Sequence, residues 1–372
     1  MNWDLVFTAN NVRRLLIGDW PGSLGGVALT VELSLIGMLC ATLLGLLVGT
    51  LRYAGARPVR WLAGTYVELL RNIPLLVLVF WAYFAPPYFP RTPSVITIHD
   101  VIPLRLPVYR SSPRMKAYLQ LVARAAHRAS LIITVSQHAK QDMMDALHLP
   151  AERIRVIYEA AGEEYRPVTD PETLAKARAR YGVGERYIFY LGGLDHRKNV
   201  PLLVRAFAHL YQQINDPGLQ LLIAGNPDKQ SGPLFPDPRP VAADLGMTGQ
   251  IIYRYIEEED KPALYSGTSA FVFPSYYEGF GLDPLEAMSC SAPVICSNRT
   301  SLPEVVGDAA ITFDPDHTGQ LVAAMRSVLT DRELAAGLRA RSLQQAARFD
   351  WRKTATETLA VYEEAYKRSR KR

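Results

Sequence analysis

Two glutamates stand eight positions apart in the stretch Phe273-Pro274-Ser275-Tyr276-Tyr277-Glu278-Gly279-Phe280-Gly281-Leu282-Asp283-Pro284-Leu285-Glu286-Ala287-Met288. Glu278 lies on a glycine-bounded loop, and Glu286 falls inside the helical pattern that follows. Gly279 and Gly281, with Phe280 between them, free the backbone to wrap a ligand, and the N–H groups of such a loop donate to phosphate or sugar oxygens. Carboxylates accept paired hydrogen bonds from vicinal hydroxyls, which sugars and riboses offer. A structural reading of Glu286 stands beside this one: Asp283 as N-cap, Pro284 as first helical residue and Glu286 as the third form a capping box. Upstream lies Tyr190-Leu191-Gly192-Gly193-Leu194-Asp195-His196-Arg197-Lys198-Asn199. Gly192 and Gly193 permit close approach of a ligand, and Arg197 and Lys198 precede a helix, so the segment suits a diphosphate. The alternative is a tight turn carrying a solvated basic pair. His99-Asp100 closes a short β-rich run, where a histidine can equally be a satisfied polar residue.

These residues need a scaffold that gathers strand ends. Strand-like runs cover residues 187–191, 219–224, 250–255, 270–273, 293–296 and 309–313, separated by helical patterns such as 201–211 and 284–290. Such alternation predicts a doubly wound α/β domain with a parallel sheet, its ligand at the carboxyl ends of the strands. Three further β-rich runs, at 94–98, 131–135 and 153–157, flank a helical pattern over 115–129. They predict a second, smaller α/β unit. The chain divides into a membrane segment (1–92), a smaller α/β unit (93–180), a doubly wound domain (181–349) and a C-terminal helix with a basic tail (350–372).

Composition changes near residue 92. No lysine precedes it, and Gly25 to Leu51 is a run of 27 residues with one charge, Glu32. That run is long enough to cross a bilayer. Trp61 to Phe84 is a second candidate, flanked by Trp61, Tyr66, Trp81 and Tyr83, so one or two transmembrane helices are expected. The intervening loop carries Arg52, Arg57 and Arg60, which the positive-inside rule places in the cytoplasm. If both segments span, everything after residue 90 emerges on the outer face. The net charge is +5, and the last six residues alone carry five positive charges. No basic face for nucleic acid is implied; the tail reads as a solvated helix end or an attraction to anionic lipid. Cys40, Cys290 and Cys296 form no disulfide or metal pattern and read as buried hydrophobes.

The E-x7-E pattern, with Phe271 to Ser275 before it and Ser291-Ala292-Pro293-Val294-Ile295 after it, resembles the signature of retaining family-4 glycosyltransferases of GT-B fold. Ser301-Leu302-Pro303-Glu304-Val305-Val306-Gly307-Asp308-Ala309-Ala310 resembles a further block of that family, although Ser301 and Glu304 would also suit a capping box. The likeness runs over about residues 93–367 and is strongest to mannosyltransferase-like members. It implies a nucleotide-sugar donor, GDP- or UDP-linked, and a saccharide or lipid-linked acceptor, and it makes 93–180 a truncated acceptor-side GT-B domain and 181–349 the complete donor-binding one. It implies that Glu278 contacts the transferred sugar and that Glu286 holds the ribose. Arg197 and Lys198 would neutralise the diphosphate, and His99 would reach the donor across a cleft. Ser136 resembles another cleft-facing position. Many relatives carry an arginine where this chain has Gly193. No cofactor and no metal are expected, because basic residues and helix dipoles carry the leaving-group charge.

Tyr66-Val67-Glu68-Leu69-Leu70-Arg71-Asn72-Ile73-Pro74-Leu75-Leu76 resembles instead the start of polar amino-acid ABC-transporter permeases, over about residues 15–88. Two function classes follow. One is a glycosyltransferase of surface polysaccharide synthesis, attached to the inner membrane with its enzyme part in the cytoplasm. The other is a non-catalytic chimera, or a transport component by its first segment.

Overall fold

The computed structural model describes residues 94–369, apart from 111–112, 215, 226, 230–231 and 233, together with the isolated position 50. The permease-like stretch and both candidate spans therefore lie outside the described residues, as do Cys40 and the end of the basic tail. Among the described residues no helix is long and apolar enough to cross a membrane.

Two parallel sheets organise the unit that runs from Phe84 to Arg372. The first lobe holds β1 (Val95–Thr97), β2 (Leu131–Thr134) and β3 (Ile154–Val156), in the order β1-β2-β3. β2 is LIIT, buried at every position, as a central strand covered on both faces must be. On one face Ala126, from α2 (Pro113–Arg128), and Met143 and Leu147, from α3 (Gln137–Leu147), pack around Ile132 and Ile154. A short helix α1 (Ile102–Arg105) and a 3₁₀ turn (Pro107–Arg110) lead from β1 into α2.

The second lobe carries β4 (Tyr187–Leu191), β5 (Gln220–Ala224), β6 (Ile251–Arg254), β7 (Ala270–Phe273), β8 (Val294–Ser297) and β9 (Ala310–Phe313). Their order is β6-β5-β4-β7-β8-β9, all parallel. α4 (Pro171–Tyr181) precedes β4; α5 (Val200–Ile214), α6 (Arg239–Asp244), α7 (Lys261–Gly267), α8 (Leu282–Ser289) and α9 (Leu302–Val306) lie between the strands; α10 (Thr318–Thr330) and α11 (Arg332–Ala346) follow β9. Chain order runs outward in both directions from β4 and β7, so the switch point of the sheet lies between these two strands. A ligand crevice is expected at the carboxyl ends there. The core beneath it is aromatic: Phe189, Tyr265 and Phe271 are fully buried and meet edge to face at 5.2–6.0 Å between ring centres. That geometry suits the ring quadrupoles.

Two elements tie the fold together across the boundaries drawn from sequence. α4 starts at an Asp170 N-cap with Pro171 in its first turn and stops at Gly182 in the left-handed region. It packs on α7, where the Tyr181 hydroxyl donates to Asp260. α12 (Trp351–Ser369) returns to the first lobe, seating Val361 and Ala365 on Leu131, Ile133 and Ile157. There Arg155 pairs with Glu364, Nε to Oε2, at 3.0 Å. The last helix thus covers the second face of the three-stranded sheet.

Candidate functional site

The segments after β4 and β7 converge at the switch point. After β4 the chain turns through Gly192 (φ +151°) and Gly193 into a 3₁₀ turn, His196–Lys198, and then α5. The Tyr190 hydroxyl donates to the Gly193 carbonyl at 2.6 Å and holds the turn against the sheet. After β7 the loop runs over Pro274–Gly281 into α8. Gly281 has φ +123°, where a side chain is strained, and a Cβ there would meet Leu302 at 2.9 Å. At Gly279 a Cβ would lie 2.8 Å from the Asp100 Cβ, so glycine is what lets the loop reach the end of β1.

Arg197, Lys198 and Glu278 come together as one cluster. Glu278 receives Arg197 Nη1 at 2.6 Å, Lys198 Nζ at 2.9 Å and Ser275 Oγ at 2.6 Å. It is buried, and burial alone would raise its pKa. Lys198 and Arg197 reverse that and hold it below the ordinary carboxylate value. Arg197 also meets Asp195 at 3.3 Å and donates to the Tyr277 carbonyl at 2.9 Å. Burial opposes its charge, yet Glu278 and Asp195 keep its pKa above the usual value. Lys198, 6% exposed, lies 4.5 Å over the Phe273 ring and reaches Asp283 at 3.4 Å. The reading of these cations as a solvated pair on a turn is overturned: burying a lysine requires the two carboxylates that receive it.

Glu286 is buried as well, on the side of α8 facing α7, where the Tyr265 hydroxyl donates to it at 3.3 Å. Burial, reinforced by Asp283, lifts its pKa to about 8. The capping-box reading fails at both places. α8 has Gly281 as its N-cap and no side-chain cap, and Asp283 turns to Lys198. α9 likewise has no side-chain cap: Ser301 donates to the carbonyls of Glu278 and Phe280, at 3.0 and 2.6 Å. Glu304 reaches the first lobe, accepting from the Gln137 N–H at 2.8 Å and the Tyr158 hydroxyl at 2.6 Å.

His99 and Ser136 enter from the first lobe. His99 Nδ1 pairs with Glu159 at 3.0 Å, and that hydrogen bond outweighs partial burial to raise its pKa. The His99 carbonyl and the Asp100 side chain border Gly279. Ser136 is fully buried: its Oγ caps α3 by accepting from Ala139 N at 2.9 Å and donates to the Gly279 carbonyl at 2.7 Å. It therefore joins the lobes and lines no open space. The Phe280 ring is also buried, against Tyr158 and Phe349, so only its backbone is available to a ligand. Asp195, Ser275, Asp283 and Tyr265 belong to the site although sequence reasoning gave them no ligand-side role. The first three stood inside the quoted motifs, whereas Tyr265 carried no local signal. Cys290 and Cys296 are buried thiols with pKa values pushed up to about 12, as small core residues should be. Among the described residues no group of three or more His, Cys, Asp or Glu is placed to hold a metal ion.

Parallel strands whose switch point gathers two cations, two glutamates and two glycine loops define a binding fold for an anionic, hydroxyl-rich ligand. Residues 174–345 match the family described as Glycosyl transferases group 1, and residues 50–161 match Glycosyltransferase Family 4. The second match begins inside the stretch that resembles a permease, so the two readings overlap over residues 50–88. The chain is 34% identical over 274 residues to the O-antigen chain mannosyltransferase B of Escherichia coli, covering 72% of this chain and 70% of that protein. It is 31% identical over 266 residues to the serotype-specific mannosyltransferase WbdA of Escherichia coli; this covers 70% of this chain but 32% of that much longer relative. Among solved structures, Anabaena Alr3699/HepE in complex with UDP and glucose aligns with TM-score 0.61 at 21% identity, over 73% of this chain and 72% of that one. The chain belongs to the group 1 glycosyl transferases, and its fold is GT-B-like.

Proposed function

We propose that this glycosyltransferase moves a hexosyl group, mannosyl in the first instance, from a nucleoside-diphosphate sugar to a saccharide or lipid-linked acceptor in polysaccharide synthesis, with retention at the anomeric carbon. The observation that carries the reading is the Arg197–Lys198–Glu278 cluster at the β4/β7 switch point. The mannosyl assignment draws on the names of the E. coli relatives, and a UDP-linked donor is the alternative that the HepE complex suggests.

Charge grows on the leaving diphosphate as the glycosidic bond breaks, so fixed cations aimed at it lower the barrier. Carboxylates hold Arg197 and Lys198 in place for that task. An arriving diphosphate would compete with Glu278 for them, and the reaction is expected to run without a metal. Glu278, ionised by its neighbours, would accept hydrogen bonds from the transferred sugar. Glu286 would meet the ribose hydroxyls, and His99 would donate to the donor from the first lobe. The hydrophobic run at 25–51 supports attachment to the inner membrane, with the enzyme part in the cytoplasm where sugar nucleotides are made.

The test is nucleoside-diphosphate release by the full chain with GDP-mannose, UDP-glucose and UDP-galactose, each with an alkyl mannoside as acceptor. One donor should be turned over, in the presence of a chelator as well as in its absence, and Glu278→Gln should abolish the reaction. If calorimetry finds nucleotide binding but no donor is consumed, the non-catalytic chimera is the better account. If no nucleotide binds, the site assignment itself is wrong.

A further inference from the structure

A second cluster lies one residue from Glu278 and has no place in the reaction as derived so far. The Tyr277 hydroxyl donates to Asp142, a carboxylate on α3 that is 3% exposed. Arg105, at the end of α1, meets the same carboxylate through Nε at 2.9 Å. His138 Nε2 stands 3.4 Å from both the Tyr277 hydroxyl and Asp142 Oδ2, with its ring edge-to-face on the tyrosine at 5.6 Å between ring centres. Every partner of the Tyr277 side chain named here thus comes from the first lobe. The backbone of the same residue belongs to the donor site: its carbonyl receives Arg197 at 2.9 Å and Ser275 Oγ at 3.3 Å, and its next neighbour is Glu278.

We propose that Tyr277 and Asp142 are positioning residues through which the first lobe sets the loop that carries Glu278. The proposal rests on the transferase reading of the site. A buried carboxylate must be paired, and Asp142 gives one oxygen to Arg105 and leaves the other to be satisfied by the tyrosine hydroxyl and His138. Satisfying it fixes the ring. With the ring fixed, two soft torsions remain between the residues, ψ of Tyr277 and φ of Glu278, and the Arg197 contact with the Tyr277 carbonyl restrains the first. Ser136, the N-cap of the same helix, holds the Gly279 carbonyl at 2.7 Å and pins the other side of Glu278. Glu278 is therefore flanked on both sides by attachments to the first lobe, while its own carboxylate is held by the second. Alignment of Glu278 would then depend on the lobes being together, whereas the cations and Glu286, which sit wholly in the second lobe, would bind nucleotide without it.

Tyr277→Phe and Asp142→Asn, each in the full chain, test this with the donor that the wild type consumes. The expected result is a kcat lowered at least tenfold in both, with GDP or UDP affinity by calorimetry within twofold of wild type and Tyr277→Phe still fully folded by circular dichroism at the assay temperature. The double variant should be no slower than the slower single one. Hydrogen exchange of the 275–281 amides, which needs no turnover, should rise at least tenfold in Tyr277→Phe. If Asp142→Asn does not fold, Tyr277→Phe decides alone, since it removes one oxygen. A kcat within twofold of wild type, multiplied losses in the double variant, or unchanged exchange in the loop each overturns the proposal. A wild type that binds nucleotide but consumes no donor counts against the transferase reading, and the exchange result then decides the linkage by itself.

Discussion

Glu286→Gln separates a buried, proton-bearing carboxyl from an ordinary surface acid. Glu286 is 9% exposed, beneath Tyr265 and near Asp283, and its pKa is lifted from 4.5 to about 8. Below pH 4.5 the carboxyl is protonated in folded and unfolded chains alike, and its contribution to stability is complete. As pH rises the unfolded chain ionises first, while the folded one keeps its proton, so stability falls until the folded group ionises near pH 8. At about 1.4 kcal/mol per factor of ten, the loss is about 2 kcal/mol at pH 6 and at most ~5 kcal/mol above pH 8. Glutamine keeps the shape and cannot ionise. The variant should match wild type near pH 4.5 and melt progressively later than wild type toward pH 8, by roughly 4–8 °C at pH 6 and at most roughly 10–20 °C at pH 8, at roughly 2–4 °C per kcal/mol. Thermal unfolding followed by circular dichroism from pH 4.5 to 9 measures the gap. A gap that does not change with pH would refute the buried-proton account. Nucleotide titration completes the test: Glu286→Ala should lose about tenfold in affinity, a cost of about 1.4 kcal/mol, and Glu286→Gln less, because its carbonyl still accepts.

Three other outcomes follow from the same geometry. Lys198→Met leaves Glu278 and Asp283 short of a buried cation, so it should cost about 3 kcal/mol in urea unfolding and raise the KM for the sugar nucleotide. Glu304→Ala removes the carboxylate that caps the start of α3 from the other lobe and should expose residues 136–140 to hydrogen exchange, with a stability loss of about 1–3 kcal/mol. Gly279→Ala places a methyl 2.8 Å from the Asp100 Cβ and must push the loop off β1. Donor turnover should fall more than tenfold while nucleotide affinity, measured by calorimetry, stays near wild type.

Much of the donor lobe was legible in the sequence. Five-residue runs such as Tyr187–Leu191 are apolar throughout because both faces of a parallel strand are buried, and turn residues mark their ends. Periodicity therefore located all six strands within a residue or two. Gly192, Gly279 and Gly281 could be read because close approach and positive φ restrict residue type. The two cations and two glutamates were visible as chemistry. Their partners were not. Glu304 and Asp283 each fit a local capping box equally well, since a capping box is a four-residue pattern that does not register what the folded chain brings opposite. Only the tertiary structure carried Glu304 to the first turn of α3 and Asp283 to Lys198. The same holds for Asp142 and Tyr277, which are 135 positions apart, and for the C-terminal helix, whose Val361 and Ala365 complete the core of the lobe at the other end of the chain. Sequence determines which groups can ionise, bend or pack; which of them are neutralised, buried or held in line is settled by contacts between residues far apart along the chain.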